Sequence, residues 1–262
     1  MLGKISTLLL AAVAVAAPPK SGPDVVPAAV GQTFQGEYTI MFLGLPVARS
    51  KFTSTFAGDS VTIQGSLASA GVGKLVDSTV GSSQFSGRIG KSGVVPASFQ
   101  TTYKSGKKTK TTAISFSGGD VVKTVNVPPL KKRAKWVPLR PSDLQNVADP
   151  VSATLIKASG PSEVCSRTIK LYDGEMRADV RLRPMSVGKV PGFGPEAVTC
   201  AAKFVPVSGY RPDSNSLAYL RNRSKITISF APLGDTGIYA PVRASVGTRV
   251  GTVTVVVKRT KS

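Results

Sequence analysis

Along most of the chain, apolar and polar residues alternate with the two-residue period of a β-strand that buries one face. In the stretch 34–42, the aromatic and branched side chains share one parity, while Gln35, Glu37 and Thr39 share the other. Similar short stretches follow, separated by glycine and proline. We predict further strands over residues 49–56, 61–67, 94–103, 109–116, 201–207, 225–230, 239–246 and 249–258. Their short connections favour an antiparallel meander.

The sharpest local signal is the dipeptide Asp173-Gly174, which lies between two alternating stretches. Asp-Gly tolerates the positive φ angles that a two-residue hairpin turn requires. Such a turn pairs Leu171 with Met176 and Ile169 with Ala178 on the apolar face. The side chains predicted on the opposite face are those of Arg177, Asp179, Arg181 and Arg183.

One short segment in the middle of the chain has the signals of a helix. Asp149 can serve as the N-cap, and Pro150 fits the first helical turn. Val151 and Leu155 lie four residues apart, and Ser159-Gly160 is typical of a helix end. The sequence therefore predicts one short central helix between two sets of strands.

The composition favours a folded domain over a tail or a fibre. Of 262 residues, 41% are hydrophobic and 18% are charged, which is enough apolar material for a sizeable core. We predict a mostly β protein with a single domain over residues 32–260. The connection 128–141 joins its two halves, and the Pro- and Ala-rich stretch 17–31 is predicted to be a flexible tail.

The N-terminal sequence has the order of a secretory signal. Lys4 precedes the apolar run 8–16, and Ala14 and Ala16 form a small-x-small pair of the kind at which signals are cleaved. The run is about half as long as a bilayer span requires. We expect a cleavable signal over residues 1–16 and a mature chain that does not span a membrane. The periplasm is the expected location, with secretion as the alternative.

Cys165 and Cys200 are the two cysteines of the chain. In an oxidising compartment, an even pair indicates a disulfide, which would stabilise the fold by roughly 4 kcal/mol in the chain-entropy model. A metal site or a reactive thiol is the competing interpretation. The sequence has no histidine, so the usual zinc sites cannot be assembled and no metal is expected.

The charge balance is strongly basic, with 34 lysines and arginines against 14 aspartates and glutamates, a formal charge of +20. Such a charge favours polyanionic partners, which in an envelope are anionic lipids, lipopolysaccharide and acidic polymers. Nucleic acid is not expected as a partner, because the basic residues are not interleaved with aromatic residues as a stacking groove requires.

The densest cluster of cations lies between Pro128 and Pro141, where the prolines disfavour a regular strand or helix. We predict that this exposed connection is the anion-binding site. Its basic residues are Lys131, Lys132, Arg133 and Lys135.

The residue inventory argues against catalysis. A chain without histidine has no Ser-His-Asp triad and no Cys-His pair. Ser-Lys chemistry and carboxylate pairs remain possible by inventory. The nearby carboxylates Asp173, Glu175 and Asp179 are interleaved with arginines, which favours a cross-strand pattern of ion pairs over an acid and a base held apart in a cleft. We expect no catalytic residues, no cofactor and no enzymatic activity.

Several short motifs resemble a known family. They are Gly36-Glu37-Tyr38, Asp149-Pro150-Val151-Ser152-Ala153, Cys165-Ser166-Arg167, Leu171-Tyr172-Asp173-Gly174 and Ala240-Pro241-Val242-Arg243. The sequence is similar to the bacterial envelope family catalogued as domain of unknown function 3108, over most of the predicted mature chain. The resemblance implies a signal-bearing periplasmic protein whose antiparallel strands form a strongly curved or spiral sheet, or open barrel, near a helix. It implies no activity.

Two non-enzymatic functions follow from these observations. In the first, the basic surface contacts an anionic lipid or polymer and contributes to the integrity of the cell envelope. In the second, the concave face of the curved sheet carries or binds an apolar ligand, such as a lipid or a lipoprotein. The charge of the chain favours the first, while the second requires a concave apolar surface that a sequence does not reveal.

Overall fold

The computed structural model describes residues 31–76, 78–91, 93–131 and 135–258. The predicted signal 1–16 and the predicted tail up to residue 30 lie outside the described residues. The strands are β1 (Gln32–Phe42), β2 (Leu45–Ala57), β3 (Ser60–Ser69), β4 (Thr79–Ile89), β5 (Val94–Ser105), β6 (Lys108–Ser117), β7 (Asp120–Val127), β8 (Ile156–Lys157), β9 (Arg167–Tyr172), β10 (Arg177–Val187), β11 (Val198–Ser208), β12 (Ile226–Pro232), β13 (Ile238–Thr248) and β14 (Gly251–Lys258). The helices are α1 (Gly73–Val76), α2 (Pro161–Val164) and α3 (Asn215–Asn222).

All fourteen strands of the described chain belong to one antiparallel sheet that does not close into a barrel. The order is β7-β6-β5-β4-β3-β2-β1-β14-β13-β12-β11-β10-β9, and β8 pairs with β13 beside this path. Each half of the chain is therefore a meander, and the first and last strands join the two halves: Tyr38 of β1 lies opposite Val257 of β14. The mostly β, antiparallel fold predicted from the alternation is confirmed.

The two edge strands approach each other through side chains. The amide of Asn126 on β7 donates a hydrogen bond to the carbonyl of Gly174, next to β9, at 3.0 Å. The hydroxyls of Thr124 and Tyr172 lie 3.3 Å apart. Gly174 has a φ of +99°, and a Cβ there would collide with Thr112 on β6, so both its conformation and its packing require glycine. The sheet is thus curled into an open barrel.

The hairpin predicted at Asp173-Gly174 is present, but its register differs from the prediction. Leu171 pairs with Ala178 and not with Met176. The carboxylate of Asp173 accepts hydrogen bonds from the backbone amides of Glu175 and Met176, at 2.9 and 2.7 Å, so Asp173 lies before the turn and the turn is centred on Gly174-Glu175. The register is shifted by two residues, which is one full period of a strand, so the side chains predicted to face the interior still do so.

The predicted helix is a single 3₁₀ turn, Ser152–Thr154. After it the backbone extends, and Ile156–Lys157 forms β8 against β13. The prediction of a longer helix ending at Gly160 was wrong because pairing with β13 outweighs the local helix signals. The predicted cap is present, since the Asp149 carboxylate accepts hydrogen bonds from the first amides of the turn.

Residues 147–157, here called the central segment, contribute to three of the hydrophobic clusters of the interior. Val147 packs beside Phe99, Leu155 packs beside Phe56 and Phe85, and Ile156 packs in the cluster of the C-terminal half. This segment therefore crosses the space inside the curved sheet and connects the two halves of the core.

The predicted disulfide is present between Cys165 and Cys200, with Cα atoms 5.3 Å apart. Both residues are buried in the C-terminal cluster. The bond connects the end of α2 to β11 and so fixes the chain just after the central segment. No free cysteine occurs among the residues that the structure describes.

Candidate functional site

The concave face of the sheet has large aromatic and very small side chains side by side. Phe34 and Tyr38 on β1 point inward, and Tyr38 packs edge-on against Phe52 of β2, with ring centroids 5.8 Å apart. Gly36 lies between the two inward residues of β1, and small serines lie opposite them on β2: Ser50 faces Tyr38 and Ser54 faces Phe34. Because small residues alternate with the rings, the interior is not filled.

A cleft of about 460 Å³ results between these strands and the central segment. Most of its lining is apolar, and besides β1 and β2 the lining comes mainly from β12, β13, β14 and the central segment. Residues that define its extent are Phe34, Ser54, Leu155, Phe193, Val242 and Val257. We call this cavity the outer chamber.

A second cavity of about 300 Å³ adjoins the first on the side of the C-terminal half, and we call it the inner chamber. Its lining is almost entirely apolar and includes Ile169, Val180, Ile228 and Phe230. Both chambers are lined by Tyr38, Pro150, Thr154, Pro241 and Val255. The two chambers are therefore neighbouring parts of one apolar cleft.

Tyr38 stands at the boundary between the chambers. Its hydroxyl donates a hydrogen bond to the carbonyl of Pro241 at 2.9 Å. Burial raises the pKa of the Tyr38 phenol to about 12, so the group stays neutral and acts as a donor at physiological pH. Thr154 also lines both chambers, and its hydroxyl donates to the carbonyl of Val151 at 2.7 Å. The polar groups at the boundary are thus held by the backbone.

Asp149 fixes the part of the central segment that forms the wall of the cleft. The residue is fully buried, and its Oδ1 accepts hydrogen bonds from the amides of Val151 at 2.8 Å and Ser152 at 3.1 Å. The Ser152 hydroxyl donates to Oδ2. Burial raises the pKa of Asp149, while these hydrogen bonds act in the opposite direction.

Replacing Asp149 with asparagine should leave the fold intact and make its stability less dependent on pH. A carboxyl whose pKa is raised in the folded state stabilises the fold fully at a pH below its unfolded pKa, which is about 3.8. This contribution is lost as the pH rises from there through the pKa of the folded state. Asparagine keeps an acceptor for the two amides without a buried charge. Asp149→Ala leaves those amides unpaired, at about 1–3 kcal/mol each.

Urea unfolding of the wild type and both variants at several pH values would test this expectation. If Asp149→Asn is as destabilising as Asp149→Ala at every pH, an uncharged amide does not replace the carboxyl as an acceptor, and the assigned role as a neutralisable cap would be wrong.

The basic connection lies away from the cleft. Lys131 and Lys135 are exposed, and neither lines either chamber. Lys132 and Arg133 lie outside the described residues. Beyond them, Val137 pairs with Tyr210, two residues after the end of β11, and its amide donates to the Tyr210 carbonyl at 2.9 Å. The prediction that these four cations bind an anion stays a prediction.

A wider, more open recess of about 720 Å³ lies beside this connection. Half-buried Trp136 and Tyr210 line it together with Asp173 and Glu175. The Asp173 carboxylate already accepts hydrogen bonds from the backbone amides of the turn. The recess is more polar than the cleft and does not suit an apolar ligand.

The described residues contain no group of three or more histidine, cysteine, aspartate and glutamate side chains placed to hold a metal ion. No helix in the described part of the chain is long and apolar enough to cross a membrane. The disulfide is compatible with an oxidising compartment.

The sequence predicted that β1 and β2 bury aromatic residues, but it did not predict a cleft between them. The available signal was the presence of Gly36, Ser50 and Ser54 on the inward parity, where a filled core requires larger side chains. These small residues indicate a cleft only once β1 and β2 are known to face the central segment across the interior.

Comparisons with known proteins find a family and similar solved structures. The profile of the family described as "Protein of unknown function (DUF3108)" matches residues 37–258. No curated protein matches the sequence. The crystal structure of a β-barrel-like protein of domain of unknown function DUF1849 from Brucella abortus is similar over 88% of this chain and 98% of its own, with 9% identity and a TM-score of 0.41. A 2.0 Å structure of the hypothetical protein CT021 from Chlamydia trachomatis is similar over 85% of this chain and 84% of its own, with 10% identity and a TM-score of 0.28.

Proposed function

This chain belongs to the family of proteins of unknown function DUF3108, and we propose that it binds the acyl chain of a lipid or lipoprotein in the apolar cleft. The observation that carries this proposal is the pair of adjoining apolar chambers inside the sheet, of about 460 and 300 Å³. Each chamber falls within or at the lower end of the range of roughly 300–1,000 Å³ that ligand pockets occupy.

The shape and chemistry of the cleft support an elongated, flexible ligand. The two chambers meet at Tyr38 and Pro241, which are joined by a hydrogen bond, and a flexible chain can bend from one chamber into the other. The phenol of Tyr38 and the hydroxyl of Thr154 already have backbone partners. A hydrocarbon chain neither donates nor accepts hydrogen bonds, so it can pack against these walls without leaving a polar group unpaired.

We also propose that the protein acts by binding and not by catalysis, in the periplasm of the cell envelope. The absence of histidine from the sequence supports the first part of this proposal. The order of residues 1–16 and the Cys165–Cys200 disulfide support the second part. A lipid-binding role is compatible with this compartment, where exported lipids and lipoproteins must be shielded from water.

A second candidate function is contact between a basic surface and an anionic envelope component, contributing to envelope integrity. The formal charge of +20 favours it, and Lys131 and Lys135 are exposed on the basic connection. The two functions are compatible, since neither lysine lines the cleft.

Filling the outer chamber should weaken the binding of an acyl chain. In Ser54→Phe, a ring opposite Phe34 occupies the space that the serine leaves open, so we expect the affinity for cis-parinaric acid, a fluorescent fatty acid, to fall by roughly tenfold or more. The measurement is the fluorescence titration of the purified chain with this probe, together with mass spectrometry of the gently purified protein for a retained lipid.

Ser66→Phe is the matched control, because it makes the same change on the exposed face of the neighbouring strand β3. Its affinity should equal that of the wild type. Thermal unfolding of both variants separates a blocked cleft from a damaged fold. If Ser54→Phe remains folded and binds the probe as tightly as Ser66→Phe does, the cleft is not the ligand site.

A further inference from the structure

One end of the sheet exposes apolar side chains at its turns. Leu43 and Leu45 in the β1–β2 turn, Val72 and Leu75 between β3 and β4, and Val250 in the β13–β14 turn have relative exposures from 38% to 86%. We call these five residues the apolar rim.

Hydrogen bonds and close packing bring the three connections of the apolar rim together. The amide of Leu43 donates to the carbonyl of Thr252 at 3.0 Å, which joins the β1–β2 turn to the start of β14. The amide of Val72 donates to the carbonyl of Pro46 at 3.2 Å, which joins the β3–β4 connection to the start of β2. The exposed side chains therefore belong to one continuous end of the molecule.

Leu43 combines a backbone conformation and an exposure that are both unfavourable for a leucine, although part of its side chain packs over Gly251. Its φ is +51°, a left-handed conformation that is unfavourable for a leucine, and its exposure is 63%. Asparagine or glycine would adopt this conformation at less cost and would not expose hydrocarbon to water. A residue that is strained and still exposed is more readily explained by an interaction outside the chain.

The apolar rim is surrounded by cations. Arg49, Lys74 and Arg249 lie in or beside its three connections and are exposed, and none of them has a carboxylate partner among the described residues. The neighbouring β5–β6 turn adds four exposed lysines at the same end: Lys104, Lys107, Lys108 and Lys110. The described stretches 43–50, 70–76, 78–80, 103–110 and 246–252 contain no aspartate or glutamate, and Asp77 lies outside the described residues.

The turns at the opposite end of the sheet differ from the apolar rim because they include carboxylates. Its turns carry Asp59 between β2 and β3, Asp120 at the start of β7 and Asp235 between β12 and β13. The apolar rim and the β5–β6 turn beside it thus carry cations and no carboxylate among the described residues, whereas the turns at the opposite end carry carboxylates together with the exposed Lys91 and Lys189. The carboxylates of Asp173 and Glu175 lie at the same end as the rim, but in the β9–β10 turn at the far edge of the sheet. This asymmetry would orient the molecule in the field of a negatively charged surface.

We propose that the apolar rim and its cations dock the protein on the surface of an anionic lipid bilayer. Hydrocarbon side chains at turn tips can enter the boundary between headgroups and acyl chains, while lysine and arginine beside them contact anionic headgroups. Charge complementarity favours an anionic membrane over a second copy of this chain, because two copies, each with a formal charge of +20, repel each other. The proposal goes beyond ligand binding, since the five rim residues line neither chamber of the cleft.

The test is flotation of the purified chain with vesicles of phosphatidylglycerol and phosphatidylethanolamine, and with vesicles of phosphatidylcholine alone. The wild type should bind the anionic vesicles, lose binding steeply as salt is raised, and bind the neutral vesicles poorly. The variant Leu43→Asn/Leu75→Gln/Val250→Asn should lose roughly tenfold or more in affinity for the anionic vesicles. Asparagine at position 43 suits the local backbone, so this variant should fold.

Two matched controls sharpen the test. Val122→Asn/Met185→Gln/Val187→Asn removes three apolar side chains of comparable exposure away from the apolar rim and should leave binding unchanged. The charge comparison sets Arg49→Gln/Lys74→Gln/Arg249→Gln against glutamine at the four cations of the basic connection, residues 131, 132, 133 and 135. We expect the rim triple to lose more binding, although it removes fewer charges.

Three outcomes would overturn the proposal: no binding of the wild type to the anionic vesicles, equal losses in the rim variants and their controls, or a greater loss from the basic connection. The last outcome would place the contact at the connection between Pro128 and Pro141 instead. Binding of cis-parinaric acid should be the same in all these variants, so failure of membrane docking and failure of ligand binding can be told apart.

Discussion

Replacing Arg177 with glutamine should lower the free energy of unfolding by about 3–5 kcal/mol. Arg177 is buried, and its Nη2 donates to Oδ1 of Asp179 at 2.7 Å. Its Nε and Nη1 have no hydrogen-bond partner in the described structure. Removal of the guanidinium leaves the Asp179 carboxylate, which is 20% exposed, without its ion partner and mostly out of water.

Arg181→Gln and Arg183→Gln are the matched controls, since both arginines lie on β10 and are exposed. Each should change the free energy of unfolding by no more than about 0.5 kcal/mol. The double variant Arg177→Met/Asp179→Ala should recover most of the lost stability, because removing both charges of a buried pair leaves no uncompensated charge. Urea denaturation provides all four values. A loss below about 1 kcal/mol for Arg177→Gln would show that water reaches the pair.

Removing the disulfide should have an effect of similar size. The Cys165→Ala/Cys200→Ala variant should lose about 4 kcal/mol, the value that the chain-entropy model gives for cysteines 35 residues apart. The bond ties α2 to β11 and so restrains the chain beyond the central segment. Both cysteines are buried, so the wild type should show no free thiol under native conditions and two after unfolding and reduction.

The measurement is chemical denaturation of the wild type in oxidised and reduced form and of the double alanine variant. Reduction should reproduce most of the loss seen in the variant, which serves as the control for lost side-chain volume. The disulfide would be excluded as a major source of stability if the reduced protein unfolded at the same denaturant concentration as the oxidised one.

The strands that the sequence predicted well are those whose inward residues are large. β1 and β2 alternate aromatic and polar residues, and their bounds extend those predicted by only a few residues. β4 was not predicted because its inward positions include Gly81, Ser83 and Gly87 as well as Phe85, which gives little hydrophobic contrast. β4 forms because it is hydrogen-bonded to β3 on one side and to β5 on the other, although its own hydrophobic pattern is weak.

The arginines of β10 differ in burial, which the alternation of residues did not predict. The alternation in β10 predicted Arg177, Asp179, Arg181 and Arg183 on one face, with cross-strand ion pairs. In the structure, Arg177 keeps the parity of the other three residues, but it is buried, with Asp179 of its own strand as its partner. The alternation assigns a side chain to one face of a strand but does not give its depth of burial, so only the structure could separate this arginine from its exposed neighbours.

The sequence by itself determined the strand-rich class, the antiparallel meanders, the disulfide and the strongly basic charge, because each depends on residue type and local spacing. Only the tertiary structure decided that the central segment would form one 3₁₀ turn and a short strand, that Gly36, Ser50 and Ser54 would border a cleft, and that three distant turns would meet in an apolar rim. These features depend on strand order and sheet curvature. Contacts between residues far apart in the chain set both, and no local pattern encodes such contacts.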